Sequence, residues 1–169
     1  MTLHEWLLPL YRNMLRAVGG MIDRAAEQDE SDALLAKRLA PDMLPLASQL
    51  RFVANMPGEA LTQLAGGDYR SLDEDPADLA EAKTWLSQTL LRLDGVKEAD
   101  WRAEEDTFEL TLPNGMVFHL TAGQYARDWA VPNFLFHTSM VYAILRHSGI
   151  ELGKADFVPH MLAYVKTSP

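Results

Sequence analysis

The stretch VPNFLFHTSMVYAILRHSG (residues 131–149) is the most apolar part of this chain, and a histidine lies near its middle. Just before it, Thr121 and Gln124 have the spacing of a helix-capping box. Gly149 marks its end, because glycine readily adopts the left-handed conformation that terminates many helices. The sequence therefore predicts a buried helical segment from about residue 121 to 149, with a break or kink at Pro132.

Three earlier segments also repeat apolar residues at steps of three and four, the pattern of a helix with one buried face. The first runs from residue 3 to about 27 behind a capping box formed by Thr2 and Glu5. The second is predicted near residues 41–65 and the third from Asp75-Pro76 to about 93. We expect a loop at residues 27–31 and fraying of the last few residues.

A different pattern separates the third and last helices. Residues 107–112 and 116–121 alternate apolar and polar side chains, as strands do, and Pro-Asn-Gly lies between them. A three-residue loop pairs Leu110 with Phe118 and puts every apolar side chain on one face, whereas a two-residue turn sets Leu110 opposite His119. We predict the first register, and with it a β-hairpin.

These elements together predict a mainly α fold. The expected architecture is a four-helix bundle with a small β-hairpin inserted before the last long helix. At 169 residues the chain has the length of one domain, spanning residues 1–169.

Composition excludes several classes of partner. The net charge is -9, and lysine and arginine are not clustered, so we expect neither nucleic acid nor a membrane as partner. The apolar run at residues 129–145 is interrupted by polar residues and falls short of the roughly 20 residues that span a bilayer. Cysteine is absent, which excludes disulfides and thiolate sites and suits the cytoplasm. The N-terminus lacks the pattern of a signal peptide.

His137 is the main candidate functional residue, because it lies within the most apolar helix. Asn133 precedes it by four residues and therefore shares its helix face. A buried polar pair must be hydrogen-bonded, so His137 either bonds a neighbouring helix and specifies packing or lines a pocket in the bundle core. Gln49 on the second helix and Tyr11 on the first are further candidates. None of the common metal-binding or nucleotide-binding motifs is present.

Three separated stretches carry a resemblance to a known superfamily. They are RLAPDMLPLASQ (38–49), PNFLFHTSMVYAILRHSG (132–149) and LGKADF (152–157). In this order they resemble an uncharacterised bacterial branch of the DinB/YfiT-like superfamily, whose members are four-helix bundles. The resemblance spans nearly the whole chain and implies the fold, but the branch has no assigned activity.

The resemblance also bears on metal binding. In metal-binding members of the superfamily, three histidines from two helices hold a divalent ion, and two of them form an HxxxH pair near the end of the last helix. Counted back from Gly149, that pair falls on Asn133 and His137, and the third ligand falls near Gln49. Amides then replace two of the three ligands, and neutral amides are poor ligands for zinc or nickel. We expect no metal and no cofactor.

The function is left with three hypotheses, and the sequence does not decide whether the protein is an enzyme. In the first, Gln49, Asn133 and Tyr11 bind a small polar or thiol ligand in a core pocket and His137 is the catalytic base or hydrogen-bond donor. The thiol follows from the resemblance, because the superfamily includes thiol-dependent transferases. In the second, the protein is a non-catalytic homodimer. In the third, it is a divalent-metal-dependent enzyme.

Overall fold

The computed structural model describes residues 1–29 and 32–166, so the predictions for the 27–31 loop and for the end of the chain lie partly outside it. Four long helices dominate: α1 (Leu3–Gln28), α2 (Leu46–Ala65), α3 (Leu79–Gly95) and α5 (Val131–His147). A single α-helical turn, α4 (Ala122–Gln124), and a π-helical segment (Tyr125–Ala130) lead into α5. The predicted mainly α bundle is confirmed.

Short elements complete the chain. A turn of helix, α6 (Lys154–Phe157), follows α5. Three 3-10 segments cover Asp32–Ala36, Glu98–Asp100 and Pro159–Tyr164. None of the helices in the described part of the chain is both long and apolar enough to cross a membrane.

Two long helices begin later than the sequence predicted. α2 starts at Leu46, because the residues just before it form turns, whose backbone N–H groups donate to carbonyls earlier in the chain. α3 starts at Leu79. Its N-cap residue is Asp78, whose carboxylate accepts a hydrogen bond from the backbone N–H of Glu81. The expected cap, Asp75, instead accepts hydrogen bonds from Ser48 and Arg51 of α2. The Asp75 carboxylate thus makes a tertiary contact with α2 instead of capping α3.

The β-hairpin has the predicted register. Strands β1 (Thr107–Thr111) and β2 (Val117–Thr121) are antiparallel, and Leu110 lies opposite Phe118. Beyond the strands, the N–H of Leu112 donates to the carbonyl of Met116 at 2.8 Å. Gly115 has a φ of 84°, the left-handed conformation that the three-residue loop requires.

The predicted break at Pro132 is replaced by a π-helical segment. Proline has no backbone N–H, and in a regular α-helix its ring would crowd the carbonyl of Asp128 four residues earlier. The wider π turn, in which the N–H of Val131 donates to the carbonyl of Ala126, accommodates that ring. The chain therefore continues as a helix through Pro132, and α5 ends before Gly149, whose φ is 95°.

The core lies between the four long helices. α2 and α5 run antiparallel, because Gln49 near the start of α2 meets His137 in the first half of α5, while later α2 residues meet the π-helical segment that precedes α5. The hairpin lies beyond this pair, and its half-buried apolar residues pack against the core. Several of the largest side chains are fully buried: Tyr11, Phe134, Leu3, Leu7, Leu8, Leu15, Met21, Leu46, Leu50, Leu64 and Leu86.

Candidate functional site

Gln49 and His137 form a hydrogen-bonded pair that joins α2 to α5. The distance from His137 Nδ1 to Gln49 Oε1 is 2.7 Å, and the Gln49 side chain is almost fully buried. Gln49 Nε2 donates to the carbonyl of Leu44 at 3.3 Å, which orients the amide with its oxygen toward the imidazole. Because an amide oxygen only accepts, Nδ1 carries the imidazole proton and Nε2 keeps its lone pair.

Aromatic rings enclose the His137 imidazole. It stacks on Phe52 at a ring-centroid distance of 4.6 Å and contacts the edge of Phe136 at 5.2 Å. Burial lowers the pKa of His137 from 6.5 to about 4, because these surroundings solvate the imidazolium ion poorly. The imidazole is therefore neutral at neutral pH. The sequence-based expectation that a buried histidine finds a hydrogen-bond partner is met by a residue 88 positions away.

The other two predicted residues, Asn133 and Tyr11, form no hydrogen bond with the Gln49–His137 pair. Asn133 donates through Nδ2 to the carbonyl of Trp129 at 2.7 Å, within its own helical segment. Tyr11 is completely buried, with its ring edge-to-face on Phe134 at 4.8 Å, and burial raises the pKa of its phenol. Its hydroxyl has no hydrogen-bond partner among the described residues. Of the four predicted side chains, only Gln49 and His137 are joined by a hydrogen bond.

A pocket of about 430 Å³ opens between α2, the π-helical segment, the start of α5 and the hairpin. Among the four predicted residues, only Asn133 lines it. His137 lies behind one wall, because Phe52 both lines the pocket and stacks on the imidazole. The full lining is Phe52, Met56, Glu59, Gln63, Leu110, Leu112, Pro113, Tyr125, Trp129, Ala130 and Asn133.

Glu59 is the one residue with a formal charge at neutral pH among those that line this pocket. Ser71 Oγ donates to its Oε1 at 2.6 Å. No lysine, arginine or histidine of the described residues forms an ion pair with it. Its second oxygen remains open to a hydrogen-bond donor from outside the chain.

Tyr125 is the most deeply buried polar residue of the lining, at 4 % exposure. Burial raises the pKa of its phenol, and the negative charge of Glu59 adds to that shift. Within the described part of the chain its hydroxyl forms no hydrogen bond, although its ring packs edge-to-face on Phe108. The hydroxyl is therefore available to a bound molecule as donor or acceptor.

Sequence reasoning missed Glu59, Tyr125 and most of the pocket. One signal was present: Phe52, Met56, Glu59 and Gln63 follow one another at steps of four, three and four, and so share one face of α2. That face differs from the apolar stripe used to predict the helix. The sequence pattern does not show which surface faces these α2 residues. In the structure, the hairpin and the π-helical segment form that surface.

A metal centre of the superfamily type requires several ligands around one point. Among residues 1–29 and 32–166, no three histidine, cysteine, aspartate or glutamate side chains converge in a way that could hold a metal ion. At the implied position, His137 Nδ1 and Gln49 Oε1 are bonded to each other, and Asn133 Nδ2 is bonded to a backbone carbonyl. These residues do not fit a three-ligand centre.

Comparison with known proteins places this geometry in a family. None of the curated proteins matches the chain. A crystal structure described as a DinB family member protein from Shewanella denitrificans matches with a TM-score of 0.77 and 29 % sequence identity, over 89 % of this chain and 88 % of the other. The family model described as a domain of unknown function, DUF1993, matches residues 3–158. The chain therefore belongs to the DUF1993 family, a DinB-like domain of unknown function.

Proposed function

We propose that this protein binds a small molecule in the pocket between α2, the π-helical segment and the hairpin. The observation that carries the proposal is a cavity of about 430 Å³ with mostly apolar walls and a few polar groups. Ligand pockets in proteins have this composition and span about 300–1,000 Å³. The apolar body of the ligand would lie against Phe52, Trp129 and the hairpin, with its polar group near Tyr125 and Glu59.

A second hollow, of about 620 Å³, is larger but suits a ligand less well. It lies beside the start of α1, and its walls include Met1, Thr2 and the acidic residues Glu98, Glu104 and Glu105. Most of these side chains are exposed. The pocket beside α2 is walled by helices and a hairpin that the core holds in place, so it needs less ordering when a ligand binds.

His137 supports this proposal as a positioning residue. Its stacking on Phe52 and its bond to Gln49 hold one pocket wall in place. A role for His137 as catalytic base stays a prediction, as do a role for Tyr11 in binding and the formation of a homodimer. We also propose that the metal site of the superfamily has been lost here, since neutral amides stand at two of its three ligand positions and Gln49 Oε1 is bonded to His137.

The charge of the pocket disfavours some of the thiol ligands that the sequence suggested. Glu59 is an unpaired carboxylate in the pocket, and it repels anionic ligands such as glutathione. A neutral or cationic ligand does not meet this repulsion. The proposal is therefore a small molecule with an apolar body and no net negative charge.

The test is a binding screen followed by two-dimensional NMR on labelled protein. The panel contains 2-phenylethanol, phenethylamine, 3-phenylpropanoate and reduced glutathione. We expect at least one phenyl probe to shift the amide signals of residues that line the pocket. If no probe shifts them, or if all shifts fall elsewhere, the proposal is wrong.

Matched variants locate the binding. Met56→Trp fills the pocket from α2, and Gln63→Trp blocks it from a second position in case the first variant is unstable. Met161→Trp adds the same bulk at an exposed position far from the pocket. Binding should be lost in the two pocket variants and kept in Met161→Trp; binding that survives filling of the pocket contradicts the assignment.

A further inference from the structure

We infer that the ligand of this pocket is a small organic amine, bound as its ammonium ion by Glu59 and seated against the Trp129 ring. This inference rests on the proposed function, because it names the chemical class of the molecule that the pocket takes. Three properties of the pocket support it: the hydrogen-bonding groups that have no partner among the described residues, the charge and the aromatic wall.

Three side chains of the pocket lining offer a hydrogen-bond acceptor that has no partner among the described residues. Glu59 has a carboxylate oxygen without a partner among the described residues, and a carboxylate only accepts. Asn133 donates one amide N–H to the Trp129 carbonyl, and its oxygen accepts no hydrogen bond from the described residues. The Tyr125 hydroxyl accepts or donates. An ammonium group, with three N–H donors and no acceptor, complements this set.

The electrostatics of the site point the same way. Two arginines close in sequence to pocket residues pair with other carboxylates: Arg51 with Asp75, and Arg127 with Glu104. Arg102 donates to the backbone carbonyl of Gln63 at 2.8 Å. Within the described residues, no lysine, arginine or histidine forms an ion pair with Glu59. The net charge of -9 adds a general attraction for cations.

Trp129 supplies the aromatic surface. Its side chain is 36 % exposed, it lines the pocket, and Asn133 anchors the backbone beneath it. Among the aromatic side chains, indole attracts a cation over its face most strongly. Phe52 is less available for this role, because His137 stacks on its ring and the Arg51 guanidinium lies 4.8 Å from the same ring.

Three probes with one phenylethyl body test the inference: phenethylamine, 2-phenylethanol and 3-phenylpropanoate. Their dissociation constants are measured by NMR titration at low ionic strength, following the indole N–H signal of Trp129. We expect the order amine, alcohol, carboxylate from tightest to weakest, with the amine about three- to fivefold tighter than the alcohol, the size of a partly exposed ion pair. Added salt should reduce that ratio.

Glu59→Gln is the decisive variant, because it removes the charge and keeps the shape and the contact with Ser71. The amine should lose its advantage while the alcohol keeps its affinity. Glu105→Gln, an exposed change outside this pocket, is the matched control and should preserve the wild-type order.

The outcomes separate this inference from the proposed function. Equal binding of amine and alcohol in the wild type, or an advantage of the amine that persists in Glu59→Gln, overturns the amine assignment and leaves the pocket as a binding site. Absence of binding by all three probes overturns both.

Discussion

Acidification should destabilise this protein through His137. In the folded state burial lowers the pKa of His137 to about 4, whereas the unfolded chain has the ordinary value of 6.5. Below pH 6.5 the unfolded state therefore binds a proton that the folded state does not accept. The contribution of neutral His137 to the free energy of unfolding is fully present above pH 6.5 and falls progressively as the pH drops toward 4. Below pH 4 this group causes no further loss.

The size of the effect follows from the two pKa values. Without any allowance for solvent, the difference between these pKa values lowers the free energy of unfolding by about 2 kcal/mol between pH 7.5 and pH 5. The ring is only partly buried, so solvent stabilises some of the charge and the expected loss is about 1 kcal/mol. The protonated ring would keep its Nδ1 bond to Gln49, because both nitrogens of imidazolium donate. The cost therefore comes from poor solvation of the charge among aromatic rings.

The assay is urea unfolding of the wild type and of His137→Gln at several pH values from 7.5 to 4.5. The variant is less stable at pH 7.5, and we expect its difference from the wild type to shrink as the pH falls. His119→Gln, on the exposed face of the hairpin, is the control and should keep the wild-type profile. If wild type and His137→Gln lose stability in parallel, the environment assigned to His137 is incorrect.

Three more changes test the structure around the pocket. Asn55→Ala should cost about 2–4 kcal/mol in urea unfolding, because Asn55 bonds the Tyr69 hydroxyl and both backbone groups of Leu72; a loss below about 1 kcal/mol would contradict that network. Gly58→Ala should cost about 1–3 kcal/mol, since a Cβ there lies 2.6 Å from the Tyr69 ring, and the same substitution should cost much less in a Tyr69→Leu background. Thr121→Ala should cost about 1 kcal/mol and speed amide exchange in the first turn of α4, whereas unchanged exchange would speak against the cap.

Local patterns predicted much of the fold because the interactions behind them are local. The capping boxes at Thr2 and Thr121 join residues three apart, so their spacing in the sequence is enough to identify them. The hairpin register follows from the two-residue period of a strand, since any slip would expose Leu110 and bury its polar neighbours. The start of α3 was predicted too early, because Asp75 bonds Ser48 and Arg51 of α2 rather than capping its own helix. The start of α2 was predicted too early, because the residues before Leu46 form turns.

The candidate site was predicted only in part. A histidine in an apolar helix had to find a hydrogen-bond partner, and helix spacing made Asn133 the nearest candidate. The partner is Gln49 on α2, which the sequence analysis had named as a further candidate and the superfamily resemblance placed near the same site. Asn133 instead bonds the carbonyl of Trp129 in the π-helical segment that precedes Pro132.

The sequence by itself determined the elements of this protein: four long helices, one hairpin in one register, and a buried imidazole that needed a partner. Each of these depends on residues a few positions apart. Only the tertiary structure decided that one face of α2 meets the π-helical segment and the hairpin, and so brings Glu59 and Tyr125 to one pocket. The two residues are 66 positions apart in the chain, so their proximity depends on how all the helices pack together and leaves no local period in the sequence.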